Sequence, residues 1–263
     1  MTPPLSLHIV TEEDPFYIPV FFREFFAGLP RDRVVVTGVD ITPPLNQTRP
    51  LALARKLYAF YGPVDFPRLA LGYALAKAKD ALLPAAWTGT VRRLAARHGV
   101  PSRVVADVNA PSYVRALRAL APDLLVSVAA SQIFRTELLS VPRLDAINVH
   151  TGPLPQYRGM LPVFWQMYDG RASIGVTIHT MTERIDVGEI LLRRDVALGG
   201  VQSLDAAIRT MKRQGAQALL ELLARYADGA VSRTAMDAAG GAYRSFPRRE
   251  HAVAFRRRGY QLL

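Results

Sequence analysis

The chain contains no cysteine among its 263 residues, which excludes disulfides and every thiolate metal or redox site. No run of eighteen or more apolar residues is free of charge, so no membrane-spanning helix is indicated. The opening MTPPLSLHIVTEEDPFY has no basic start followed by a long apolar stretch, and does not read as a secretory leader. Internal repeats and low-complexity linkers are absent as well. These absences predict a cytoplasmic protein with one substantial core. Acids are scarce relative to bases, 22 against 33, for a formal net charge of +11. That surplus raises the question of polyanionic partners. The arginines are nevertheless spread along the chain and not interleaved with aromatics as on an RNA-binding surface, so nucleic acid is not the expected partner.

What is present is an alternation of short apolar runs with amphipathic segments, the pattern of βαβ units and a largely parallel sheet. LHIV (7–10) and RVVVTGV (33–39) read as strands around a helix, FYIPVFFREFFAGL (16–29), with Pro19 in its first turn. LALARKLYAFYG (51–62) and FPRLALGYALAKAKDALL (66–83) read as two helices joined at a Gly-Pro turn, and TGTVRRLAARHGV (88–100) as a helix stopped by Gly99. SRVVA (102–106), LLVSVAA (124–130) and DAINVH (145–150) are further strands, with Ser112 placed to cap the helix SYVRALRALA. SIGVTIHTM (173–181) and EILLRRDVAL (189–198) alternate in period two. In QSLDAAIRTMKRQGAQALLELLARYADG (202–229), Leu204, Ile208, Met211, Gly215, Leu219, Leu222 and Tyr226 share one helical face, behind Ser203 as N-cap. PRREHAVAFRRRG reads as a basic helix opened by Pro247 and stopped by Gly259. The expected fold class is α/β, a mostly parallel sheet flanked by helices. Residues 1–200 form the main domain, and 201–263 a helix plus a small helical or mixed extension.

One stretch stands out, INVHTGPLPQYRG (147–159). Alternate residues of a strand point to the same face, so Asn148 and His150 project together. They stand at a carboxyl end, where open α/β sheets bind ligands. An amide donor beside an imidazole suits an oxyanion on a tetrahedral carbon, and the imidazole can move a proton near neutral pH. The plainer reading is that both side chains bond local backbone. Further on, ERIDVGEI places Asp186 between two strands, where it is either an ordinary turn residue or a carboxylate that orients the imidazole.

Asn-x-His within INVHTGPLPQYRG, followed by SIGVTIHTM and then IDVGEIL, resembles the tetrahydrofolate-dependent formyltransferase family. The likeness covers roughly residues 120–198 and implies a Rossmann-like fold. It implies 10-formyltetrahydrofolate as co-substrate, an amine as acceptor, and no metal. Asn148, His150 and Asp186 match the family's catalytic trio: Asn148 and protonated His150 would stabilise the oxyanion, while Asp186 tunes His150. SVAASQIF (127–134) and ERIDVG (183–188) match the two walls of the pterin pocket. The donor-binding residues implied are therefore Ser131, Gln132, Ile133, Ile185 and Gly188, with Leu154, Arg158 and Gly159 from the loop after the catalytic strand.

The sequence departs from the family after its first strand. VTEEDPFYIP (10–19) offers Glu12, Glu13 and Asp14 where the glycinamide ribonucleotide enzymes carry a glycine-rich phosphate loop. These acids either cap the following helix or contact a cationic or hydroxyl-rich acceptor. After Gly229 only 34 residues remain, fewer than the C-terminal barrel of methionyl-tRNA formyltransferases needs. The expected acceptor is a small-molecule amine, foremost an amino sugar on a nucleotide. A formyl-folate hydrolase, a methionyl-tRNA-type enzyme without the barrel, and a polyanion-binding scaffold are the alternatives. Candidates for acceptor recognition are Tyr58, Tyr61, Arg68 and Trp87 in the 43–88 segment, otherwise a pair of amphipathic helices covering the sheet, and Tyr243, Phe246, Tyr260 and the basic tail, otherwise an aromatic and arginine packing edge. The 43–88 helices are also compatible with a homodimer contact.

Overall fold

The computed structural model describes residues 3–43, 50–83 and 89–263; Trp87 lies outside them. Seven strands form the main sheet: β1 (Leu5–Glu12), β2 (Val34–Thr42), β3 (Ser102–Val104), β4 (Leu124–Val128), β5 (Asp145–His150), β7 (Ser173–Thr180) and β8 (Ile190–Ala197), in the order β3-β2-β1-β4-β5-β7-β8. The first five are mutually parallel, and β7 runs antiparallel to both β5 and β8. The strand order reverses between β1 and β4, so a crevice is expected beyond their carboxyl ends.

Helices cover both faces, because the parallel strands are apolar on both sides. On one face lies α1 (Ile18–Gly28), with Phe21, Phe22 and Phe25 fully buried and Pro19 in its first turn as expected. Beside it runs α7 (Leu204–Ala227), capped by Ser203, whose hydroxyl accepts from the Ala206 N–H. Of the seven apolar positions read on this helix, Leu204, Met211, Gly215, Leu219 and Leu222 are buried. Gly215 lets α7 close on β5: a side-chain carbon there would come within 3.2 Å of Val149 Cγ1. On the other face, α4 (Pro111–Leu120) and α5 (Thr136–Leu139) bury Val114, Leu117 and Leu138 against Val10, Leu125 and Ala146. Ser112 does not cap α4. Pro111 occupies the first turn after Ala110, which makes no side-chain cap, since proline's missing N–H costs nothing there.

The expected pair of helices at 51–83 is one segment, α2 (Pro50–Leu82), broken at Gly62 (φ 76°, ψ −175°). That left-handed turn is what glycine permits. The next helix, α3 (Val91–Arg97), begins after Thr90 as N-cap. A short pair, β6 (Tyr157–Gly159) and β9 (Ala242–Arg244), joins the loop after β5 to the tail. Between β6 and β7 lies α6 (Pro162–Tyr168), and the last helix is α8 (Arg249–Arg257). The basic helix α8 is partly tied down: Arg256 donates to the Tyr61 carbonyl at 2.6 Å and to Asp65 at 2.7 Å. Phe246 and Tyr260 pack against the core, Phe246 on Phe60 and Tyr260 stacked on Phe255, while Tyr243 and Tyr58 are exposed and Tyr61 is buried. Among the described residues no helix is long and apolar enough to cross a membrane.

Candidate active site

The registers of three elements converge on the end of β5. Ile147 and Val149 face the α1–α7 core, so strand alternation sends Asn148 and His150 the other way. Across the antiparallel pair, Asn148 stands opposite His179 and His150 opposite Thr177. Asp186 arrives from the β7–β8 connection in a left-handed conformation (φ 54°). Gly188, two residues on, presses so closely on the Thr180 carbonyl that no side chain fits.

The resulting cluster is buried and hydrogen-bonded. His150 Nε2 lies 2.7 Å from the Tyr157 carbonyl, which can only accept, so Nε2 carries the hydrogen. That leaves Nδ1 as the position where a proton enters or leaves, and it faces Asp186 Oδ1 at 3.6 Å. Asp186 also lies 3.5 Å from His179 Nε2 and accepts the Gly159 N–H at 2.8 Å. Asn148 Nδ2 is 3.3 Å from His179 Nε2, and His179 Nδ1 donates to the Thr180 carbonyl at 2.8 Å. His179 Nε2 thus faces both the Asn148 amide and the Asp186 carboxylate, and the Asn148 amide carries a second hydrogen besides the one directed at His179.

Burial pushes the His150 pKa down; Asp186 opposes this, and His179 and Lys212 add to the lowering. These surroundings favour the neutral form of the imidazole. Burial alone would raise Asp186, but His150, His179 and the Gly159 N–H outweigh it and hold the carboxyl well below the usual carboxylate range. A neutral imidazole beside a fixed carboxylate can take a proton and keep it as part of an ion pair. With an amide donor alongside, the arrangement fits attack on a carbonyl-type carbon.

The residues expected to bind the donor divide in two. Ile133 and Ile185 are exposed, at 50% and 44%, on the two segments read as pocket walls. Just past the first of these segments, the Thr136 N–H donates to Glu183 of the second at 2.8 Å. Ser131 and Gln132 are occupied locally: Ser131 donates to the Pro43 carbonyl at 2.6 Å, and Gln132 bonds the Val108 N–H and Ala106 carbonyl. Leu154 is fully buried, with its N–H donated to Thr177 Oγ1. Arg158 donates to the Gly241 carbonyl at 3.1 Å. Gly159 and Gly188 shape the loops that hold Asp186. His179 is the member that the sequence reading passed over. Its own strand carries no signal for this; only the pairing that sets it opposite Asn148 does. Among the described residues no group of three His, Cys, Asp or Glu side chains is placed to hold a metal ion.

Of the acids after β1, Asp14 closes the turn that leads into α1: its carboxylate accepts the Phe16 and Tyr17 N–H groups at 2.7 and 3.2 Å. Tyr61 opens onto a hollow of about 310 Å³ lined by Gly62, Pro63, Val64, Asp65 and Arg256.

Comparison with known proteins agrees with this geometry. The family model described as formyl transferase matches residues 84–223. The methionyl-tRNA formyltransferases of Geobacter metallireducens and Ruminiclostridium cellulolyticum are 33% and 31% identical over 62% and 58% of this chain. The chain spans about half the length of these curated relatives, 52% and 49%. Among solved structures, a sugar N-formyltransferase from Shewanella sp. FDAARGOS_354 superimposes with a TM-score of 0.57 at 18% identity, covering 92% of this chain and 77% of that one. Glycinamide ribonucleotide transformylase 1 from Symbiobacterium toebii gives a TM-score of 0.61 at 14% identity, covering 90% and 96%. These two share the fold. The family match takes in more than half the chain, from before α3 to within α7 and with all of β5 and β7 inside it, and the chain belongs to the formyl transferase family.

Proposed function

We propose that the protein transfers a formyl group from 10-formyltetrahydrofolate to the amine of a small molecule, foremost an amino sugar carried on a nucleotide. The observation that carries the reading is the meeting of Asn148, His150 and Asp186 at the end of β5. His150 Nδ1 takes the proton from the attacking amine as the new C–N bond forms. Asn148 donates its second amide hydrogen to the developing oxyanion. The imidazolium, now paired with Asp186, adds positive charge beside that oxyanion. It then returns the proton to the folate nitrogen, the old C–N bond breaks, and tetrahydrofolate leaves. Ile133 and Ile185 are exposed apolar side chains on the two segments read as pocket walls, which supports a flat heteroaromatic donor such as a folate.

The amino-sugar reading is supported by the acids after β1, which suit a hydroxyl-bearing amine better than a phosphate. A methionyl-tRNA acceptor is the second reading, supported by the sequence relatives. Tetrahydrofolate release from 10-formyltetrahydrofolate would be followed without acceptor, then with pooled amino-sugar nucleotides, then with methionyl-tRNA. Release that depends on the sugar pool supports the proposal. Release with methionyl-tRNA alone gives the second reading, and release without any acceptor makes the protein a hydrolase.

A further inference from the structure

The β7–β8 pair carries, at the end away from Asp186, a hollow that the mechanism above does not use. Three connections enclose it: the turn from α6 into β7, the link from β8 to α7, and the residues just after α8. Its volume is about 490 Å³, and Arg171, Arg258, Gln202 and Tyr260 line it together with Gly199 and Gly200. His150 stands opposite Thr177, and β7 begins at Ser173. At about 3.3 Å per residue, the hollow therefore starts roughly 13 Å along the strand from the level of His150.

No carboxylate lines this hollow. Asp169, beside the turn, is already taken up by Arg244 at 3.0 Å and the Tyr157 hydroxyl at 3.1 Å. Arginines elsewhere on the surface, such as Arg143, Arg194 and Arg233, each pair with an acid. Among the described residues, neither Arg171 nor Arg258 does so. Arg258 is nonetheless held: its guanidinium lies 4.4 Å from the centre of the Tyr168 ring, a contact that orients a cation without neutralising it. Gly199 and Gly200 follow one another in the left-handed region, at φ 55° and 81°. Among the described residues no hydrogen bond takes their N–H groups.

Two guanidinium groups without a counter-ion, beside unused amide donors, call for an anion. Their planar forks match phosphate oxygens in pairs. The volume lies within the range that holds a whole small molecule. Tyr260 is stacked on Phe255 at 4.8 Å between centres, and the Gln202 side-chain amide has no partner among the described residues. A ring fixed in this way and an amide that both donates and accepts suit a flat, hydrogen-bonding base.

We propose that this hollow is a binding site for a nucleoside diphosphate, separate from the catalytic crevice, with Arg171 and Arg258 on the phosphates and Tyr260 and Gln202 on the base. It stands independently of which amine accepts the formyl group.

The test is calorimetric titration of the full chain with UDP, in about 0.15 M KCl to screen diffuse attraction. Saturable binding is expected. Arg171→Gln and Arg258→Gln should each weaken it by about 10-fold or more, the range for losing a hydrogen bond to a charged group. Both side chains are exposed, so the melting temperature without nucleotide should stay at the wild-type value. Pyrophosphate should displace UDP, and uridine alone should bind far more weakly. UDP affinity unchanged in both variants overturns the proposal. So does sulfate binding as tightly as UDP, which marks a general anion patch, or uridine binding as tightly as UDP, which removes the phosphate contacts.

Discussion

Replacing Asp186 by Asn isolates what its charge contributes. The position has φ 54°, a region that asparagine tolerates better than other substitutes, and the amide oxygen can still accept the Gly159 N–H. What disappears is the negative charge 3.6 Å from His150 Nδ1. At an effective dielectric of about 20, that separation is worth about 4–5 kcal/mol to a full imidazolium. This is a ceiling, because the proton is only partly transferred at the barrier. A kcat reduced by about 10²–10³-fold is expected, measured as tetrahydrofolate release under donor and acceptor saturation. Asp186 also raises the His150 pKa against burial, so the acid limb of kcat/KM should move to lower pH in the variant. Stability carries its own sign. A carboxyl held below its unfolded value near 3.9 stabilises the fold above that pH and loses the contribution as pH falls through the folded value. The melting-temperature difference between wild type and variant should thus be largest near neutrality and shrink below about pH 4. A loss of less than about fivefold with the fold intact, or an acid limb displaced upward, would refute the role assigned to Asp186.

Other outcomes follow from the same geometry. Asn148→Ala should lower kcat by about 10²–10³-fold with little change in melting temperature, as expected for one oxyanion donor; near-normal turnover would remove Asn148 from the mechanism. His179→Phe, which takes away the partner of both Asn148 and Asp186, should cut kcat by about 10–100-fold and broaden the pH profile, read from initial rates across pH 5–9. In the wild type, the acid limb should lie below the ordinary histidine value of about 6.5, because burial favours neutral His150; a limb well above 7 would contradict a resting neutral ring. Gly188→Ala forces a carbon into the Thr180 carbonyl. It should destabilise the protein by about 2–4 kcal/mol, a fall of roughly 5–15 °C in melting temperature by calorimetry.

How much of this was legible beforehand depended on whether a feature is local or a matter of register. Asn148 and His150 could be read because strand alternation alone aligns them. The α1 and α7 stripes could be read because helical period alone exposes an apolar face. His179 could not, since its place beside Asn148 exists only through the pairing of β5 with β7, which one strand's pattern does not encode. Ser112 misled because a good capping side chain and a good first-turn proline stood next to each other, and the chain used the proline. The matched loop residues make the subtler case. Gly159 and Gly188 sit in the right motif, yet in the fold they hold Asp186 and its loop in place, while Leu154 lies beneath the surface. A motif records that a residue type is required at a position. Whether it is required to touch the substrate or to let another residue do so is decided by packing.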